Sequence, residues 1–180
     1  MCIKNWENGL ICSFNIFLEM SLPVSILNRL QNQHSGLDLL TAELTEPQLR
    51  KMLQPGKWSV FENIVHLATY QHEFLKRIDT ILREENPSFT RYTAESDPLF
   101  YENLERPTIW IMAELEETRN EIITKIVSLT QAEINRKGLH PIFGSLTILQ
   151  WTEFFLLHEA HHHFTIFKLA AELRKETANS

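Results

Sequence analysis

The chain has 180 residues, 43% of them hydrophobic and 22% charged, the size and make-up of one globular domain with its own core. A formal net charge of -6 argues against an extended phosphate-binding surface, because nucleic-acid affinity rests on clustered lysine and arginine. Five glycines are few for the tight turns of an all-β chain, and the two cysteines, Cys2 and Cys12, form neither a disulfide framework nor a metal pair. Such cysteine usage suits a reducing cytoplasm, with any metal held by nitrogen and oxygen.

Residues 1–19 differ from the rest. Their apolar part, "LICSFNIFL", is interrupted by Asn15 and lacks a small-residue cleavage pattern, so it makes a poor secretory leader. It is also too short for a membrane span. Met20, followed by "SLPVSILNRL", resembles a second start, so residues 1–19 are expected to be a dispensable or mis-called extension and residues 20–180 the domain.

Four segments then carry a helical period. The first runs from about Pro23 to Leu44, with Ile26, Leu27, Leu30, Leu37 and Leu40 as its stripe and Pro23 suited to a first turn. The second starts at Ser59, where Glu62 three residues on completes a capping box, and runs to about Arg83. A long connection up to Pro107 follows; loops of that length tend to cover something functional. The third helix spans about Thr108 to Thr130, and "QAEINRKGLHPIFGS" reads as the next loop. The fourth runs from near Ser145 to about Glu176. With no alternating strand runs in view, four long amphipathic helices imply an all-α four-helix bundle.

Four of the eight histidines crowd into "HEAHHH", residues 158–163, and His158-Glu159-x-x-His162 matches the spacing of zinc proteases. On a helix, His158 and His162 fall in one sector with Trp151, Phe154, Phe155, Ile166, Leu169 and Leu173. Two histidines four apart on an inward face can share one metal ion. Glu159 is turned about 100° from His158. A protease would draw its third ligand from downstream, yet only eighteen residues remain there, on the same continuing helix. The protease reading therefore fails. A di-iron carboxylate bundle fails as well, since it needs two Glu-x-x-His motifs and two further inward glutamates. Elsewhere, periodicity puts His66 on a polar seam with Glu62, Tyr70, Glu73 and Arg77, where it reads as solvated. His34 and His72 read as surface or loop residues, and His140 as a distant fourth candidate ligand.

Two stretches together carry a family resemblance. "KWSVFENIVHLATYQHEFLKRI" resembles the W-S-x-x-E-x-x-x-H-L signature of the DinB-like (DinB/YfiT) superfamily. "HPIFGSLTILQWTEFFLLHEAHHHFTIFKL" is similar to that family's last segment, where a tryptophan precedes an H-x-x-H-H cluster by seven residues. The resemblance implies a four-helix bundle with a divalent metal on His66, His158 and His162, which overrides the solvated reading of His66. It leaves His161 as a competitor of His162, being three residues from His158. The family often has glutamine where this chain has Thr165.

Three imidazoles leave coordination positions open, as in catalytic rather than structural sites. Zinc and nickel fit best, with iron also compatible. The activity that the resemblance implies is transfer of a small thiol or hydrolysis of a small substrate, with Glu62 and Tyr70 as neighbouring acid–base or supporting groups. The alternative is a non-catalytic metal-binding or interaction bundle associated with stress. A small-molecule substrate, no nucleic acid, no membrane, a cytoplasmic setting and, as the resemblance implies, a homodimer complete the expectations.

Overall fold

The computed structural model describes residues 22–178. The extension expected over residues 1–19 lies outside them. In chain order the helices are α1 (Val24–Asn32), α2 (Gly36–Thr41), α3 (Glu46–Leu49), α4 (Val60–Arg83), α5 (Pro98–Leu104), α6 (Thr108–Ser128), α7 (Gln131–Ile134) and α8 (Ile148–Ala178). Two short strands, β1 (Lys137–His140) and β2 (Gly144–Thr147), pair antiparallel between α7 and α8. The fold is a four-helix bundle, with α4, α6 and α8 as three sides and α1 with α2 as the fourth. No helix among the described residues is long and apolar enough to cross a membrane.

Ser59 caps α4 as its sequence predicts, its side chain accepting from Glu62 N–H while the Glu62 carboxylate accepts from Ser59 N–H. Three expectations need correction. The first predicted helix is two helices, joined by a 3₁₀ turn over Gln33–Ser35. Asn32, Ser35 and Gly36 are poor helix formers, and Ser35 Oγ donates to the Asn32 carbonyl instead of supporting a regular turn. The third helix stops at Ser128, because Thr130 caps α7.

The third correction concerns the loop before α8, which contains the β1–β2 hairpin. Its strands are too short for an alternating pattern to show, and packing decides them. Leu139 N–H donates to the Pro87 carbonyl at 2.7 Å and Phe89 N–H to the Leu139 carbonyl at 3.1 Å, so the hairpin is bound to the chain leaving α4. Gly138 is required there, since a Cβ would lie 2.8 Å from the side chains of Ile81 and Phe89.

Two apolar clusters fill the bundle. One gathers Leu30, Phe74, Ile78, Ile122, Trp151 and Phe155; the other gathers Leu37, Phe61, Ile64, Ile111, Leu115 and Ile166. At the bundle centre Arg119, fully buried, pairs with Glu159 of α8. Gln71 Oε1 accepts from Arg119 Nε at 2.8 Å, and Gln33 Nε2 donates to Glu159 at 2.8 Å.

Candidate metal centre

His66 on α4 and His158 and His162 on α8 meet across the α4–α8 contact. Each offers one ring nitrogen, and these nitrogens all lie within 4.8 Å of one another. His66 Nε2 faces His158 Nε2 at 3.0 Å. The triangle includes His162 and leaves out His161, which is exposed. His66 is only 6% exposed, so its polar seam on α4 faces a cavity rather than bulk solvent, which corrects the reading from periodicity.

The first turn of α4 fixes the tautomer of His162. Asn63 Nδ2 donates to the Ser59 carbonyl at 2.7 Å, which turns its Oδ1 toward α8. That oxygen can only accept, and it lies 2.8 Å from His162 Nδ1. Nδ1 therefore carries the proton, and Nε2 is left with a free lone pair, the arrangement typical of a metal-binding histidine and its supporting partner.

Burial is the main cause that lowers all three pKa values from 6.5. His66 falls to about 3, His158 to about 4 and His162 to about 2, with neighbouring histidines adding to the effect. The rings are thus neutral at physiological pH, the form that donates to a metal. A single shared proton can join two facing nitrogens, but three converging lone pairs are matched by a cation. The donor set fits a divalent ion that prefers nitrogen.

Aromatic rings wall the triangle. Trp58 lies 5.0 Å from His66 between centroids, Tyr70 4.5 Å from His158, and Tyr92 5.9 Å from His66. The Tyr70 phenol is pushed up to about 12 by burial and stays protonated. Tyr92 comes from the long connection between α4 and α6 and donates to Asp97, whose carboxylate also caps α5. Sequence reasoning missed Tyr92; the only signal was the length of that connection.

The other candidates go elsewhere. Glu62 holds the capping box, and its neighbour Asn63 is the residue that touches a site histidine. Glu159 faces the bundle interior, paired to Arg119 and hydrogen-bonded by Gln33, so it offers no general base to the triangle. His140 Nδ1 accepts from the backbone N–H groups of Ile142 and Phe143, both at 3.1 Å. Its proton must then sit on Nε2, which excludes it as a fourth ligand. His72 pairs with Glu114 at the surface. His34, expected at the surface or in a loop, is half-buried near Arg119 and Glu159, as is His163. Thr165 donates to the His161 carbonyl.

Two cavities open on the triangle. One, of about 410 Å³, is lined by His66, Tyr70, Tyr92, His140, Phe154 and His158, among others. A second, of about 460 Å³, is lined by Lys57, Asn63, His161, Thr165, Lys168 and Glu172, among others. Trp58 and His162 line both.

Comparison with known proteins agrees with this architecture. A protein of Oceanobacillus iheyensis named "putative metal-dependent hydrolase" is 21% identical over 136 residues, covering 76% of this chain and 78% of its own. The structure of YfiT from Bacillus subtilis, described as a probable metal-dependent hydrolase with an unusual four-helix bundle topology, superposes with a TM-score of 0.73. That match has 21% sequence identity and covers 83% of this chain and 86% of YfiT. The model of the DinB superfamily matches residues 29–166, most of the chain, and the protein belongs to that superfamily.

Proposed function

We propose that the protein is a metal-dependent hydrolase acting on a small molecule, with His66, His158 and His162 as the metal ligands. The observation that carries this reading is the convergence of three neutral, buried imidazoles, one held by Asn63 in the tautomer that ligates. The names of both relatives, metal-dependent hydrolases in words, support the same reaction class. A divalent metal held there would supply Lewis acidity and lower the pKa of a bound water or thiol. Around it, Asn63 orients His162, while Trp58, Tyr70 and Tyr92 pack on the ligand rings and exclude water from one side of them. Tyr70 and Tyr92 also line the cavity beside the triangle, where the protonated Tyr70 phenol can donate to a substrate oxygen, the Tyr92 hydroxyl being engaged by Asp97.

A second reading, transfer of a small thiol to an electrophile, is favoured by one feature. The two cavities meet at His162 and Trp58, leaving room for a reactant on either side of the ligand triangle. The non-catalytic reading makes the opposite prediction for metal removal, because a closed structural site loses much of its stability with its metal. The metal content of purified protein, before and after His158→Ala, tests the ligand assignment. A variant that still holds a full equivalent of zinc or nickel refutes it. A panel of small esters and amides, set beside small thiols with a bimane electrophile, then separates hydrolysis from transfer.

A further inference from the structure

The cavity lined by His66 and His158 has a second polar wall, away from the triangle, that the proposed function does not use. Arg77, only 3% exposed, reaches it from α4. Its Nε donates to Glu73 at 2.7 Å and its Nη2 to the Thr90 carbonyl at 3.1 Å, which leaves Nη1 with no partner among the described residues. His140, 7% exposed, reaches the same cavity from β1. Since Nδ1 accepts two backbone N–H bonds, Nε2 is a fixed N–H donor, and it too has no partner among the described residues. Arg91 stands at the exposed rim without a partner among the described residues, and Glu95 lines the same cavity.

Donors that open on a cavity without a partner among the described residues offer a place for an acceptor from outside the chain, which binds there in place of water. The charge balance narrows the choice. Glu73 already pairs with Arg77, and Glu95 shares the lining with Arg91, so the wall has little spare positive charge and suits one negative charge better than two. Between this wall and the triangle lies Phe154, its ring 4.9 Å from His140 and 6.4 Å from His158. Phe143 packs against both His140 and Phe154. The space between the two polar ends is therefore flat and apolar.

We infer that Arg77 and His140 form a carboxylate subsite, and that the substrate is a small carboxylic acid with a flat apolar body. Its acid group lies on Arg77 and His140, and its reacting group on the three histidines. The substrate class rests on the hydrolase or transferase reading; the subsite itself does not need a metal.

The test is calorimetric titration of the full-length, metal-free protein with benzoate, using benzamide as a neutral isostere and phenyl phosphate as a doubly charged one. Benzoate is expected to bind about ten- to a hundredfold more tightly than benzamide, as charged hydrogen bonds require. His140→Phe should cost a similar factor. Arg91→Ala, at the exposed rim where folding is not at risk, should weaken benzoate and leave benzamide unchanged. Equal binding of benzamide, tighter binding of phenyl phosphate, or indifference of benzoate to both variants overturns the subsite. Zinc uptake measured on the same preparations keeps the two readings apart: loss of benzoate binding with zinc uptake intact sinks only the subsite, whereas benzoate binding without zinc uptake sinks only the ligand assignment.

Discussion

His158 and Glu159 are adjacent in the chain but belong to two different polar interiors. Glu159 sits in a closed layer at the bundle centre, where Arg119, Gln71 and Gln33 answer one another and Arg119 also reaches the Leu30 carbonyl. His158 sits in an open layer, where His66 Nδ1 and His158 Nδ1 are buried without partners and the Nε2 atoms face each other. Both layers interrupt an apolar core, and both desolvate their polar groups. The difference lies in satisfaction. A buried polar group with all its partners in the chain holds the fold, whereas a cluster of like groups that cannot satisfy one another calls for a ligand.

Breaking the closed layer should give the largest effect. Arg119→Met leaves the Glu159 carboxylate buried and unpaired, and should cost about 3–5 kcal/mol in urea denaturation, with zinc content per folded molecule unchanged. Adding Glu159→Leu should restore much of that loss, because an apolar pair of similar volume tolerates burial. A double variant no more stable than the single one would mean that the layer does more than satisfy its own charges.

Acid attacks the open layer next. His66, His158 and His162 have folded pKa values of about 3, 4 and 2, below the ordinary 6.5. The unfolded chain therefore binds protons that the folded chain refuses, so their contribution is complete above pH 6.5 and is lost progressively as pH falls from there through about 4, 3 and 2. Metal-free protein should lose stability steadily over that window in denaturant titrations. His66→Leu should flatten the slope without abolishing it, since burial also lowers His34, His140 and His163. An unchanged slope would show that the triangle is not where protons enter.

A gentler perturbation sharpens the contrast. Asn63→Ala removes the acceptor that holds His162 and should lower zinc affinity about 10- to 100-fold, read by competition with a chelator. Zinc affinity equal to that of the native protein would remove Asn63 from the site. Smallest is Ser59→Ala, which deletes the cap of α4 and should cost about 1 kcal/mol in thermal unfolding.

Much of this was legible in the sequence. Ser59 and Glu62 announce the start of α4, because a capping box is local chemistry. The i, i+4 spacing of His158 and His162 follows from the helical period alone. His66 was legible only through the family motif, since its own helix puts it among polar residues and says nothing about what that face covers. His140 and Tyr92 were not legible as cavity residues. Their positions depend on a short hairpin bound to Pro87 and Phe89 and on a long connection folded back over α4.

Glu159 marks the boundary most clearly. Its letters complete a protease motif, and the helical wheel already turns it away from His158. That it meets Arg119, forty residues upstream on α6, is visible only when α6 and α8 are packed side by side. The sequence by itself determined the helices, their caps and the pair of histidines on one face, because these depend on neighbours within a turn or two. Only the tertiary structure decided which buried polar groups find partners and which are left open, because partnership across a bundle depends on how helices distant in the chain come together.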